Sequence, residues 1–252
     1  MRGAANNPYF ETSRDDLLRI MTAPTAGAHN AVYRGKALGS DVTDAQWAAI
    51  AAGTFNDLYI GDYWTKGSVN YRIGAFNYFL NSGDTSFTKH HVVIVPDTSL
   101  YKAQMNTSDV VTGGYTGSAM YKSNLAQAKT TIKSAFGSAH VLTKRELLTN
   151  AVDFNTPKDY AWFDSDVELM NEVQVYGSVA WGTYNANAYN VGLGNGQFPL
   201  FMFDRTKLYD REGYWLRAIT STASFAIVSG NGNAGGDYSS SSYGVRPYFC
   251  IG

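Results

Sequence analysis

Hydrophobic and polar residues change rhythm several times along the chain, and each rhythm predicts an element. Thr43-Asp44-Ala45-Gln46 has the form of a capping box. Trp47 and Ile50 then share one face and Gly53 is a natural stop, which predicts a helix. Leu125, Ala128, Ile132 and Phe136 recur at helical spacing before Gly137, predicting the longest helix over 118–136. Thr143-Lys144-Arg145-Glu146 is a further capping-box pattern and predicts a short helix through Leu148. Strand-like runs surround these helices. Residues 62–65 and 69–73 flank a tight Lys66-Gly67-Ser68 turn, and the apolar run 91–95 ends at Pro96-Asp97. Residues 198–203 read as an apolar strand, and 214–219, 224–228 and 245–251 as three more, separated by glycine-rich turns. At the start, Thr12 or Ser13 can cap a short helix over 14–21, with Asp15 and Asp16 in its first turn, and 24–30 reads as a loop.

Helices interleaved with many short strands predict an α+β domain rather than a parallel α/β one. No internal repeat of fixed period is visible. Residues 1–40 read as a separate N-terminal segment, either a tail or an attachment and oligomerisation piece, and 41–252 as one domain.

Composition narrows the classes of function. Of 252 residues only 16% are charged, against about a quarter in ordinary domains, while aromatics reach 14% with 18 Tyr. The formal net charge is -1 and no Lys/Arg run exists, so the electrostatic footprint of a nucleic-acid binder is missing. No apolar run approaches the roughly 18 residues of a membrane span, so no membrane insertion is expected. Met1-Arg2-Gly3-Ala4-Ala5-Asn6-Asn7 leads into no apolar signal core. Both facts fit a particle assembled in a cytosol and released by lysis. The single Cys250, in Tyr248-Phe249-Cys250-Ile251, allows no intrachain disulfide and reads as a small buried hydrophobe.

Candidate chemistry is sparse. His90 and His91 point to opposite faces of a strand, which makes shared metal ligation difficult; His29 and His140 are isolated in sequence. Asp164 with Asp166, and Glu168 with Glu172, are the acidic pairs. A glycosidase needs carboxylates facing each other across roughly 5 to 9 Å, and sequence proximity does not supply that arrangement. Glu168 and Glu172 share a face on either a helix or a strand and read better as hydrogen-bonded groups near the core. No Gly-x-Ser-x-Gly elbow appears, and Gly192-Leu193-Gly194 and Gly230-Asn231-Gly232 do not open helices after strands. The expectation is a protein without catalysis and without a cofactor or metal.

The last forty residues point to recognition. Tyr214-Trp215-Leu216-Arg217 and Gly244-Val245-Arg246-Pro247-Tyr248-Phe249 bracket a stretch, 218–242, rich in Ser, Thr, Asn, Gly and Tyr with one charge, Asp237. Rigid aromatic area with small adaptable polar residues is the composition of binding loops.

These motifs, with Phe225-Ala226-Ile227-Val228-Ser229-Gly230-Asn231-Gly232 between them, are similar to the last strands of C-type-lectin-like domains in phage and prophage proteins. Asp57-Leu58-Tyr59-Ile60-Gly61-Asp62-Tyr63-Trp64 and Glu168-Leu169-Met170-Asn171-Glu172 resemble motifs of the same group, extending the likeness over 31–252. The resemblance implies an α+β, C-type-lectin-like domain of short antiparallel strands with two main helices. It further implies a virion protein related to retroelement-diversified tropism determinants. Trp215, Leu216, Arg217, Val245, Arg246 and Pro247 would be framework. Thr220, Ser221, Thr222, Ser224, Ser229, Asn231, Asn233, Asp237, Tyr238 and Ser240 would bind the ligand. Calcium-lectin signatures are absent, and the paired active-site Cys of related oxidases are absent too.

The implied function is a virion-associated adhesin recognising a bacterial surface glycan or protein. It would associate with other virion proteins, form a homo-oligomer, and contact no nucleic acid. A structural decoration protein is the alternative, and a cell-wall glycosidase is a third class.

Overall fold

Short apolar and aromatic runs cut by glycines and polar turns make short strands, and the computed structural model shows twelve of them over the described residues 25–154, 156–183 and 196–252. The first sheet runs β1 (Tyr63–Lys66), β2 (Val69–Phe76), β3 (Val92–Pro96), β12 (Pro247–Ile251), β7 (Val167–Leu169), with all neighbours antiparallel. The second runs β10 (Ala234–Tyr238), β9 (Ser224–Val228), β8 (Tyr214–Ile219), β11 (Tyr243–Val245), β4 (Tyr101–Ala103). Strands β5 (Lys144–Asp153) and β6 (Thr156–Ser165) form a separate hairpin. The mixed α+β class is as expected.

Five helices accompany the strands: α1 (Ala26–Asn30), α2 (Asp44–Ala51), α3 (Ala126–Phe136), α4 (Glu172–Tyr176) and α5 (Pro199–Phe203), beside shorter helical turns. The Thr43 capping box is present on α2, with Thr43 and Gln46 bonded reciprocally. Helix α3 buries Ala128, Ile132 and Phe136, and the Phe136 ring meets Tyr71 and Phe249 at 5.3 and 5.1 Å, which fixes it to the first sheet. The longest helical region is broken: a turn at Gly114–Gly117 and a π-helical turn at Met120–Asn124 precede α3.

Four elements differ from expectation. Residues 26–30, read as part of a loop, form the helix α1, whose N-cap Thr25 accepts from the Ala28 N–H. The run from Thr143 is the strand β5 and not a capped helix. Lys144, Glu146 and Leu148 alternate inward at a period of two, with Arg145 and Leu147 less buried between them. Residues 198–203 form a helix rather than a strand, since Pro199 starts it, Leu200 and Phe201 are buried, and Met202 and Phe203 face out. The run 245–251 is two strands. β11 belongs to the second sheet and β12 to the first, and the chain crosses between them at Arg246. That guanidinium is fully buried and donates to three carbonyls, Pro96 at 2.7 Å, Lys207 at 2.8 Å and Leu208 at 3.3 Å, while lying over the Tyr214 ring.

The hairpin is fastened by a buried ionic network. Glu146, 1% exposed, accepts from Arg217 Nη1 at 3.0 Å, Lys144 Nζ at 3.1 Å, Ser165 Oγ at 2.7 Å and the Tyr248 hydroxyl. Lys144 also sits 4.6 and 4.7 Å from the Phe79 and Tyr248 ring centres. Ser165 Oγ lies 3.3 Å from Glu168, which takes the Tyr115 hydroxyl as well. Residues from β5, β6, β7, β8 and β12 thus meet at one point. Burial pushes the Glu146 carboxyl up, but the charges of Arg217 and Lys144 overcome it and leave it at about 2. Burial, reinforced by Glu146, raises Glu168 instead.

Residues 25–40 pack onto this body. Tyr33 and Ala37 make parallel bridges to Ile60 and Tyr63. The Asn30 side chain bonds both the N–H and the C=O of Phe76, and Arg34 bonds the fully buried Asp62 at 2.7 Å. Residues 30–37 are thus held to the first sheet and its flanking loop by backbone bridges and side-chain bonds. The helix expected over 14–21 lies outside the described residues.

Arg217→Met leaves Glu146 short of a charge partner in the interior. The expected loss is ~3–5 kcal/mol of unfolding free energy, measured by urea denaturation; a loss under about 1 kcal/mol would show that the pair holds nothing together.

His91, fully buried and neutral, accepts from the Phe79 N–H, and burial lowers its pKa to about 4. Its unfolded value is 6.5, so the stability it confers is complete above that pH and is lost as pH falls to about 4. Glu146 acts in the same direction from 4.5 down to about 2, while the raised Glu168 opposes it. The melting temperature should fall across both windows, and His91→Gln should flatten the upper one alone.

Candidate functional site

The bracketing motifs form a fixed frame. Trp215 is buried and its indole N–H donates to the Ala103 carbonyl at 2.9 Å. Between Trp215 and Ile219 the pairing of β8 with β9 is interrupted. There the Arg217 N–H donates to the Met170 carbonyl at 3.0 Å while its guanidinium reaches Glu146. Leu216, Val245 and Pro247 are buried. Cys250 is a buried free thiol, as expected.

The ten candidate binding residues fall on two separate rims. Register places Tyr238 opposite Ser224, and Asp237 opposite Phe225, at the end of the sheet where the β8–β9 turn carries Thr220, Ser221 and Thr222. Ser240 follows two residues after Tyr238. Ser229, Asn231 and Asn233 sit on the β9–β10 turn at the other end. Five residues of β9 separate the two rims, a distance of ~17 Å at strand rise. The ten residues do not make one surface.

Several of them are committed to holding their own loops. Asp237 accepts from the Tyr243 hydroxyl at 2.5 Å, Ser241 Oγ at 3.2 Å and the Tyr238 N–H at 2.6 Å. Ser229 Oγ closes its turn on Asn231 Oδ1 at 2.5 Å and the Asn233 carbonyl at 3.0 Å. Ser240 donates its N–H to Asp109 and accepts from Gln104. The buried Ser239 hydroxyl bonds the carbonyls of Ser108 and Val110, seating the 108–110 loop on the first rim. Thr222 and Tyr238 are exposed, Tyr238 by 59%.

Trp181 was not among the residues read as binding, yet it is 61% exposed beside that rim. Thr183 pairs with Ile219, the last residue of β8. The turn before it is gripped by Glu172, 1% exposed, which accepts from the N–H groups of Trp181 at 2.9 Å, Gly182 at 2.8 Å and Ala180 at 3.4 Å. An uncharged stretch, 173–203, gave no local signal for this Trp; its position depends on a carboxylate nine residues away.

The acidic pairs separate. Glu168 is sealed in β7, and Glu172 opens helix α4, so they share no face. Asp166 pairs with Lys129 and Lys133, and Asp164 with Arg145. Asp164 lines an open cavity of about 390 Å³ with Thr85, Ser86, Phe87, Thr143, Lys144 and Arg145, and no second carboxylate lines it. His90 bonds Asn77 while His91 turns into the core. Among the described residues no cluster of His, Cys, Asp or Glu could hold a metal ion, and no helix is long and apolar enough to cross a membrane.

Compared with known proteins, the chain matches no family model, no curated protein and no solved structure.

The second rim is tight. Gly232 has φ +86°, and a Cβ there would lie 2.9 Å from the Tyr209 ring. Gly232→Ala should cost at least ~1 kcal/mol in thermal or urea unfolding, without changing the first rim; an unchanged stability would contradict this packing.

Proposed function

We propose that the protein is a phage virion-associated adhesin, built on a C-type-lectin-like domain, that recognises a bacterial surface ligand through the rim around the β8–β9 turn. The observation that carries this reading is the contrast between frame and rim. Trp215, Arg217 and Arg246 are locked by interior hydrogen bonds, while Thr222, Tyr238 and Trp181 present hydroxyl and aromatic groups to solvent beside them. Amphipathic aromatics on a rigid base gain contact area with little loss of side-chain freedom. A shallow rim binds weakly, and many copies on one particle convert weak contacts into adhesion.

Met202 and Phe203 on α5, 62% and 48% exposed, favour the alternative of a structural virion protein. Such apolar groups suit a contact with another subunit.

Beads carrying the protein should bind intact host cells. Thr222→Ala with Tyr238→Ala should weaken binding roughly tenfold or more, as loss of an aromatic anchor does, with folding intact. Asn231→Ala with Asn233→Ala, on the far rim, should leave it unchanged. Binding by neither protein nor variants to any host, with incorporation into particles, would replace the adhesin by the decoration protein.

A further inference from the structure

Resting on that reading, we infer that the ligand is a neutral oligosaccharide, held across the first rim between Trp181 and Tyr238. The two aromatics flank the rim. At this end of the second sheet the order is Thr183, Ile219, Phe225, Asp237, three inter-strand steps or ~14 Å. Trp181 stands two residues before the first position and Tyr238 one residue after the last. Such a span suits a chain of sugar rings better than a single one.

Trp181 is placed by the interior. The buried Glu172 carboxylate is organised by the three backbone N–H groups of 180–182. Thr183 completes the anchor, its N–H and hydroxyl both donating to the Ile219 carbonyl, at 2.6 and 3.0 Å. Gly182 has no room for a side chain, since a Cβ would lie 2.6 Å from Glu172 Oε2 and 2.8 Å from Ala218 Cβ. A large exposed indole on a fixed backbone is a preorganised platform, and little freedom remains to be lost when a ligand covers it.

The chemistry between the platforms selects the ligand. Thr220, Ser221, Thr222 and Ser224 offer hydroxyls along the strip. Segments 177–183 and 218–245 contain no Lys or Arg, so nothing there recognises an anionic polymer. The acids at this rim, Asp109 and Asp237, already bond Ser240 and the Tyr243–Ser241 corner. The weakly positive C–H face of a sugar ring matches the negative face of an aromatic ring, and its hydroxyls match the strip. A protein partner would instead need a contiguous apolar centre; here hydroxyl side chains occupy the middle.

The test uses the full chain on beads with intact host cells. Cells are left untreated, oxidised with periodate to destroy vicinal diols, or digested with protease. Periodate should abolish binding and protease should spare it. Trp181→Ala should weaken binding about tenfold or more, Trp181→Phe should retain part of it, and both should melt as the parent does. Neutral oligosaccharides released from the same cells and freed of anionic ones by ion exchange should compete, and should change the parent's tryptophan fluorescence but not that of Trp181→Phe. Binding lost to protease and kept after periodate overturns the sugar while leaving the adhesin standing. Competition by the anionic fraction alone, or full binding by Trp181→Ala, overturns the site. Binding to no cells in any arm sinks the adhesin, and this inference with it.

Discussion

Four strands converge on one buried carboxylate. Glu146 receives Arg217 from the second sheet, Tyr248 from the first, Ser165 from the hairpin partner strand and Lys144 from its own strand. Hydrophobic contact is non-directional, and two sheets pressed together by it alone could slide against each other. Ion pairs and hydrogen bonds have fixed geometry. A buried pair of this kind adds little net stability over a packed hydrophobic equivalent; its contribution here is to fix which residue of β8 faces which residue of β5 and β12. The interrupted β8–β9 pairing follows, because Arg217 turns its backbone to Met170 and its guanidinium to Glu146.

Arg246 solves the companion problem of passing the chain between sheets. At the crossing, the buried guanidinium with its five donors ties the chain to carbonyls at the end of β3 and in the 207–208 turn. With Arg217 and Arg246 fixed, Ile219 and Val245 are fixed, and the turns that leave them emerge at defined places. Glu172 repeats the device with opposite charge, since its carboxylate gathers three amides and sets Trp181 at the flank. The rim is therefore placed by charges that lie in the interior.

Much of the scaffold was legible. The capped helix α2, the apolar face of α3, the strands β1 to β3, and β8 and β9 all follow from local pattern. The misreadings share a cause. In β5 the inward residues include Lys144 and Glu146, so polarity ran opposite to the rule that strands bury apolar residues, and the capping-box spelling prevailed. β10, Ala-Gly-Gly-Asp-Tyr, is an edge strand with no apolar alternation and read as loop. The split at Arg246 depends on carbonyls that are far away in sequence. For the candidate site, composition marked the polar stretch but could not show that β9 divides it into two rims. Nor could it separate Asp237 and Ser229, which brace their loops, from Thr222 and Tyr238, which face solvent.

The most direct measurement of a substitution-tolerant rim on a fixed frame is the folding stability of every single substitution at 215–246, read by protease resistance of a displayed library. Substitutions at Ser221, Thr222 and Tyr238 should stay within about 0.5 kcal/mol of the parent. Those at Trp215, Arg217, Asp237 and Arg246 should cost ~2 kcal/mol or more. Equal costs at both sets would mean that the rim is part of the frame, and the account would fail.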